Sequence, residues 1–174
     1  MKMVALFVAY SLFSSLSAWA QDIPTSGGHF RLKAPLDEPE FYCLDIAGWG
    51  DHLKLNDPLQ SHTCKLSSAN DQMFHFTGRR LVASNYGSCV QVAGSSKTTL
   101  PGSAVLVRPC ADDNPLQDLA LNKAGKLQVL GTDYCLGAGA ESRPASGPSH
   151  MWRTLMVVSC DEASPALSTW QAGL

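Results

Sequence analysis

Residues Tyr42 to Cys64 read YCLDIAGWGDHLKLNDPLQSHTC. Two cysteines stand 21 residues apart, with Asp45 two positions after the first and Gln60 and His62 just before the second. Such a stretch has three readings: a metal loop, a catalytic centre, or one copy of a covalently clasped unit. The rest of the chain decides between them. Its six cysteines fall at positions 43, 64, 89, 110, 135 and 160. Cys43 to Cys89, Cys89 to Cys135 and Cys64 to Cys110 are each 46 residues, and Cys110 to Cys160 is 50. The stretch is therefore the first of three sibling segments, the third carrying a four-residue insertion.

The residues around the cysteines repeat with them. Leu44, Val90 and Leu136 follow the first cysteine of each copy, and Ile46, Val92 and Ala138 lie two positions on. Leu59, Val105 and Leu155 precede the second cysteine by five. Apolar residues at period two mark strands with one buried face. Phe74, Leu119 and Trp170 fall nine or ten residues after the second cysteine, and Leu81 and Leu127, again 46 apart, open the strand into the next copy. A period near 46 also fits propeller blades, but three blades are too few to close one. Three copies of about four short strands around one axis predict an all-β fold, a closed barrel with a cap.

An even cysteine count in an exported chain predicts disulfides. The spacing favours Cys43–Cys64, Cys89–Cys110 and Cys135–Cys160, one clasp per copy, although cyclic pairing between neighbouring copies also respects the symmetry. Each clasp restrains the unfolded chain by about 3 kcal/mol on the loop-entropy account.

Export is read from residues 1–20. Lys2 precedes an apolar run from Val4 to Leu16, and Ser17-Ala18-Trp19-Ala20 ends in a small-x-small cleavage pattern. This is a signal peptide of bacterial appearance, since the apolar run is too short for a membrane anchor. It predicts a secreted or periplasmic protein with no membrane span. Residues 21–174 form one domain, with repeats at about 28–76, 77–122 and 123–172. Removing Lys2 from the 13 basic residues leaves 12 against 15 acidic ones, too small an imbalance to point to nucleic acid.

The combination Cys43-Leu44-Asp45, Gln60-Ser61-His62-Thr63-Cys64 and Gln72-Met73-Phe74 resembles the ricin-type β-trefoil lectins. The resemblance covers about residues 28 to 172. It implies a six-stranded barrel capped by three hairpins with pseudo-threefold symmetry. It also implies up to three shallow sugar pockets for galactose or GalNAc-type glycans, without metal or cofactor. In that pattern Asp45 accepts from two sugar hydroxyls, as a carboxylate does strongly. Gln60 and the residue before Gln72 supply further hydrogen bonds, and the residue two before the cysteine supplies an aromatic platform. Here His62 replaces the large aromatic and Asp71 replaces an Asn. Trp49 is the substitute platform or a packing residue of its loop. Gln72 has a share in holding the hairpins together.

The other copies depart further. Gln91, Leu106 and Arg108 occupy the corresponding positions of the second, and Gly137, Met156 and Val158 those of the third. Neither is expected to hold a sugar. Trp152, Met156 and Val158 predict either an apolar patch for a protein partner or a surface covered by the inserted segment, residues 141–150. Subunits of cytolethal distending toxins use similar trefoils, so a protein-binding or cell-surface-binding toxin subunit with decayed sugar sites is the alternative to a lectin. Enzyme chemistry is not expected. The five histidines show no metal-binding spacing, the cysteines are committed to disulfides, and a lone carboxylate at Asp45 does not make a glycosidase.

Overall fold

The computed structural model describes residues 27–173 except Ser68, Ser96, Pro148 and Ser149. The signal-peptide reading of residues 1–20 lies outside the described residues.

The chain is all-β and each copy contributes four principal strands. The first holds β1 (Phe30–Leu32), β2 (Tyr42–Asp45), β3 (Gln60–Thr63) and β4 (Phe74–Thr77). The second holds β5 (Arg80–Ala83), β6 (Ser88–Val92), β7 (Val105–Pro109) and β8 (Leu119–Leu121). The third holds β9 (Leu127–Val129), β10 (Tyr134–Ala138), a short β11 (Arg143–Pro144), β12 (Met151–Ser159) and β13 (Trp170–Ala172).

The first and last strands of each copy form the barrel. Ladders join β13 to β1, β4 to β5 and β8 to β9. Three equivalent backbone bonds link the remaining neighbours: Phe74 N to Gly28 O, Leu119 N to Arg79 O, and Trp170 N to Gly125 O. Three sibling residues thus make the same bond in three places, which is the pseudo-threefold symmetry at the level of single atoms. The tight link from β4 to β5 needs Gly78, whose φ of 57° is a conformation that only glycine adopts without strain.

The middle strands form three hairpins, β2–β3, β6–β7 and β10–β12, that cap the barrel. They lean on one another: Leu59 N bonds Val105 O, Val157 N bonds Ser103 O, and β12 pairs with β3. The period-two residues all turn inward. Leu44, Val90 and Leu136 have no exposed surface, and Leu59, Val105 and Leu155 close the same core together with Phe74, Leu119 and Trp170. The disulfides join Cys43 to Cys64, Cys89 to Cys110 and Cys135 to Cys160, with Cα separations of 4.9, 5.0 and 5.0 Å. The pairing is within copies, not cyclic.

The insertion in the third copy folds back on its own hairpin. β11 pairs with the start of β12, Ala145 N bonds His150 O, and the Arg143 guanidinium lies 5.8 Å from the Trp152 ring centre. Trp152, Met156 and Val158 are left half-buried. Further along β12, Arg153 is buried, bonds Gly139 O and the Asp37 carboxylate, and lies 4.9 Å over the Tyr42 ring. Hydrogen bonds from Ser142, Arg153 and Tyr42 hold the Asp37 carboxyl well below the usual carboxylate range. The first and third copies are therefore joined by side chains as well as by strands.

Candidate functional site

Asp45 ends β2 directly opposite Gln60, the first residue of β3. It has no exposed surface. Gln60 Nε2 donates to Asp45 Oδ1 at 2.7 Å. The turn at Asn70–Gln72 brings Gln72 against the other oxygen, with Nε2 donating to Asp45 Oδ2 at 2.8 Å and to Thr63 O at 3.0 Å. Gln72 Oε1 accepts from Lys65 N at 2.8 Å. Every polar atom of the Gln72 side chain is thus engaged in tying the turn to the hairpin.

The same clasp recurs in the second copy. Gln117 Nε2 donates to Pro109 O at 2.9 Å and to Gln91 Oε1 at 3.0 Å, and its Oε1 accepts from Ala111 N at 2.9 Å. In the third copy Ser168 takes the position; its hydroxyl bonds Ser164 O at 2.8 Å and accepts from Lys126 Nζ at 2.5 Å. Burial pulls the Lys126 ammonium below its ordinary value.

Lys65 distinguishes the first copy. Its Nζ lies 3.2 Å from Asp45 Oδ2 and also bonds Asp71 Oδ2. Burial pushes the Asp45 carboxyl up, against the opposing pull of Lys65 and His62. Burial pulls Lys65 down, but the Asp45 and Asp71 carboxylates outweigh it and the ammonium is held above its usual range. The residue after the second cysteine is Lys65, Ala111 and Asp161 in the three copies. The only copy that is polar at positions 45, 60 and 62 is also the only one with a lysine there. That coincidence was the available sequence signal for Lys65.

Two adjoining cavities open beside this cluster. One, of about 550 Å³, is lined by Glu40, Trp49, Lys65, Asp71, Tyr86 and His150 among others. The second, about 1030 Å³, is a groove formed mainly by the first and third copies and closed by Gly102 and Ala104 of the second, whose walls include Gln60, His62, Lys65, Trp152 and Met156. Trp49 and His150 border both. Trp49 is 70% exposed and meets His52 edge to face at 6.2 Å. His62 is buried; its Nδ1–H donates to Thr63 O, and its ring meets His150 edge to face at 5.5 Å. The exposed ring at this site is therefore Trp49, not the residue two before the cysteine.

Asp45, Gln60, Lys65, Asp71 and Gln72 form one connected network, with Trp49 on the wall of both cavities and His62 in the groove wall. Among the described residues, neither of the other copies holds a carboxylate–ammonium pair at these positions. Gln91 faces Leu106, Arg108 bonds the Val107 carbonyl, and Gly137 faces Met156. Chemically, the first copy offers carboxylates, an ammonium and an amide beside an open aromatic face. Such a set can order a molecule that both donates and accepts hydrogen bonds and has an apolar face.

Comparison with known proteins agrees with the fold. The family profile of the ricin-type beta-trefoil lectin domain matches residues 37–167. No curated protein matches the chain. Among solved structures, the C-half of an earthworm R-type lectin in complex with GalNAc is 13% identical, with a TM-score of 0.58 over 84% of this chain and 98% of that one. The mdaA-1 domain is 16% identical, with a TM-score of 0.59 over 84% and 90%. Cytolethal distending toxin from Actinobacillus actinomycetemcomitans is 15% identical, with a TM-score of 0.56 over 86% and 92%.

Proposed function

Because the chain belongs to the ricin-type β-trefoil lectin family, we propose that it is a secreted or periplasmic carbohydrate-binding module, not an enzyme, with a single sugar site in its first copy. The observation that carries this reading is the Asp45–Lys65–Asp71 network beside the exposed Trp49. Its ligand is a galactose or GalNAc-type glycan. The Trp49 ring covers the C–H face of the sugar, while Lys65 and Asp71 hydrogen-bond its hydroxyls from the cavity wall. Gln60 and His62 extend the contact into the groove. Asp45 and Gln72 stand behind these residues and hold the Lys65 ammonium in place. A single shallow site binds a monosaccharide weakly, so multivalent glycans supply the avidity.

Glycan-array and calorimetric binding on the mature chain test this, repeated with Trp49→Ala and Asp45→Asn. Trp49 is exposed, so its loss should abolish binding and leave the fold intact. Binding that survives both substitutions, or no binding to any glycan, would refute the reading.

The groove favours a second reading. Its walls combine Pro58, Ala104, Pro144, Trp152 and Met156, and an apolar surface where the three copies meet suits a protein partner. On this reading the chain is a binding subunit of a toxin-like complex. A defined partner that co-purifies stoichiometrically, and is lost on Trp152→Arg while glycan binding persists, would favour it. A monomer that binds glycan and no protein would count against it.

A further inference from the structure

The charges around the smaller cavity do not balance. Glu40 stands exposed on its rim and Asp71 in its wall, with Asp45 buried behind. The only lysine or arginine lining it is Lys65, whose ammonium is already shared between Asp45 and Asp71. The two carboxylates that line the cavity, Glu40 and Asp71, against one ammonium leave an excess of one negative charge, to which the buried Asp45 behind them adds when ionised. Asp71 is only 3% exposed, and among the described residues its Oδ1 has no hydrogen-bond partner. The residue type matters as much as the charge. An Asn here would offer a ligand both a donor and an acceptor, whereas Asp offers acceptors only. The ligand group that meets Asp71 must therefore donate, and it gains most if it is positively charged. Trp49, on the same cavity, adds a ring face that attracts cations.

We propose that this site selects sugars bearing a free ammonium group, such as 2-amino-2-deoxyhexoses with the amine unacetylated, over their N-acetylated, neutral and anionic counterparts. The inference rests on the sugar-binding reading and narrows its ligand class. The ammonium of the sugar sits toward Asp71 and Glu40, and its ring lies on Trp49. N-acetylation removes both the charge and two of the donors. A sialylated sugar brings a carboxylate into an already negative cavity.

Calorimetric titration of the mature chain with galactosamine, glucosamine, galactose, GalNAc and sialyllactose tests the proposal. A charge-assisted bond in place of a neutral one predicts a preference of about tenfold for the amino sugars. Added salt should weaken that preference and leave galactose binding nearly unchanged. In Asp71→Asn the ratio of galactosamine to galactose affinity should collapse toward one. Glu40→Gln, at an exposed position, should lower the same ratio, and this keeps the test decisive if the Asp71 variant does not fold. Equal or tighter binding of galactose or GalNAc would overturn the proposal and leave the lectin reading standing. So would a preference that persists in both variants. If none of the five sugars binds while the array shows another glycan bound, this inference falls alone; if no glycan binds at all, the lectin reading falls with it.

Discussion

Gln72 bonds Asp45 at 2.8 Å, and one copy later Gln117 bonds Gln91 at 3.0 Å through the same amide nitrogen. The partner changes from a carboxylate to an amide, yet the glutamine keeps its two backbone bonds in both copies. The Gln-x-aromatic element is thus a fastener first, and its contact with position 45 is an addition. Replacing either glutamine by leucine leaves a backbone carbonyl and a backbone N–H unpaired, the carbonyl buried at Thr63 and only partly buried at Pro109. Each such group costs about 1–3 kcal/mol. Gln72→Leu should therefore destabilise the fold by about 3 kcal/mol in urea denaturation, and Gln117→Leu by less. Only the first should also abolish glycan binding. Equal effects of the two on binding, or no loss of stability in either, would contradict this division.

Lys65 holds two carboxylates that would otherwise face each other. Lys65→Met removes the only cation of the cluster and leaves Asp45 and Asp71 buried. Breaking such a pair costs about 3–5 kcal/mol. The loss should shrink as pH falls, because burial already raises the Asp45 carboxyl and protonation relieves the repulsion. Adding Asp71→Asn to Lys65→Met should recover part of the stability. Chemical denaturation of the four proteins of that cycle gives the coupling directly. Additive effects would mean that the ion pairs contribute nothing beyond packing.

Asp37 predicts an acid-sensitive seam between the first and third copies. Its carboxyl is held below the ordinary value of 3.8 by Ser142, Arg153 and Tyr42. A carboxyl whose folded pKa is depressed contributes stability that is fully present above its unfolded pKa and lost as pH falls through the folded one. The native chain should therefore lose stability as pH drops from about 4. Asp37→Asn should be the less stable protein at neutral pH, and the two curves should converge in acid. The side chain is about half exposed, so solvent screening keeps the difference small. Thermal midpoints between pH 2 and pH 7 measure it. Parallel curves would show that Asp37 titrates alike in both states.

The fold was legible because triplication printed each structural demand three times. One Phe in a strand means little, but Phe74, Leu119 and Trp170 at matched distances from a cysteine define a shared position, and all three make the same backbone bond in the barrel. The candidate site was less legible because it is present once and draws on residues far apart in the chain. Asp45 and Gln60 could be paired from the hairpin register. Lys65 could not, because its role depends on a side chain reaching both Asp45 and Asp71. Glu40, Tyr86 and His150 reach the cavity from three different loops, and no periodicity marks a loop. His62 occupies a motif position, but the strand β12 of the third copy pairs against it and buries it.

The three disulfides supply a quantitative test of the triplication. They close separate loops that neither nest nor overlap, with separations of 21, 21 and 25 residues. On the loop-entropy account, the longer third loop should matter more by only about 0.2 kcal/mol, against about 3 kcal/mol for each bond. The first cysteines of the three bonds are alike, while their partners run from buried Cys64 through half-buried Cys160 to exposed Cys110. Cys43, Cys89 and Cys135 have no exposed surface, and each sits on the first strand of its hairpin. Removing any one disulfide by paired Cys→Ala substitution should therefore lower stability by nearly the same amount. Because the bonds lie in different copies and share no partners, removing two should cost the sum of the single losses. Urea denaturation of the three single and three double deletions measures this. One bond costing several kcal/mol more than its siblings would mean that the copies are not energetically equivalent. The third would be the copy to suspect, since its clasp alone spans the folded-back insertion and its Gln-x-aromatic fastener is replaced by Ser168.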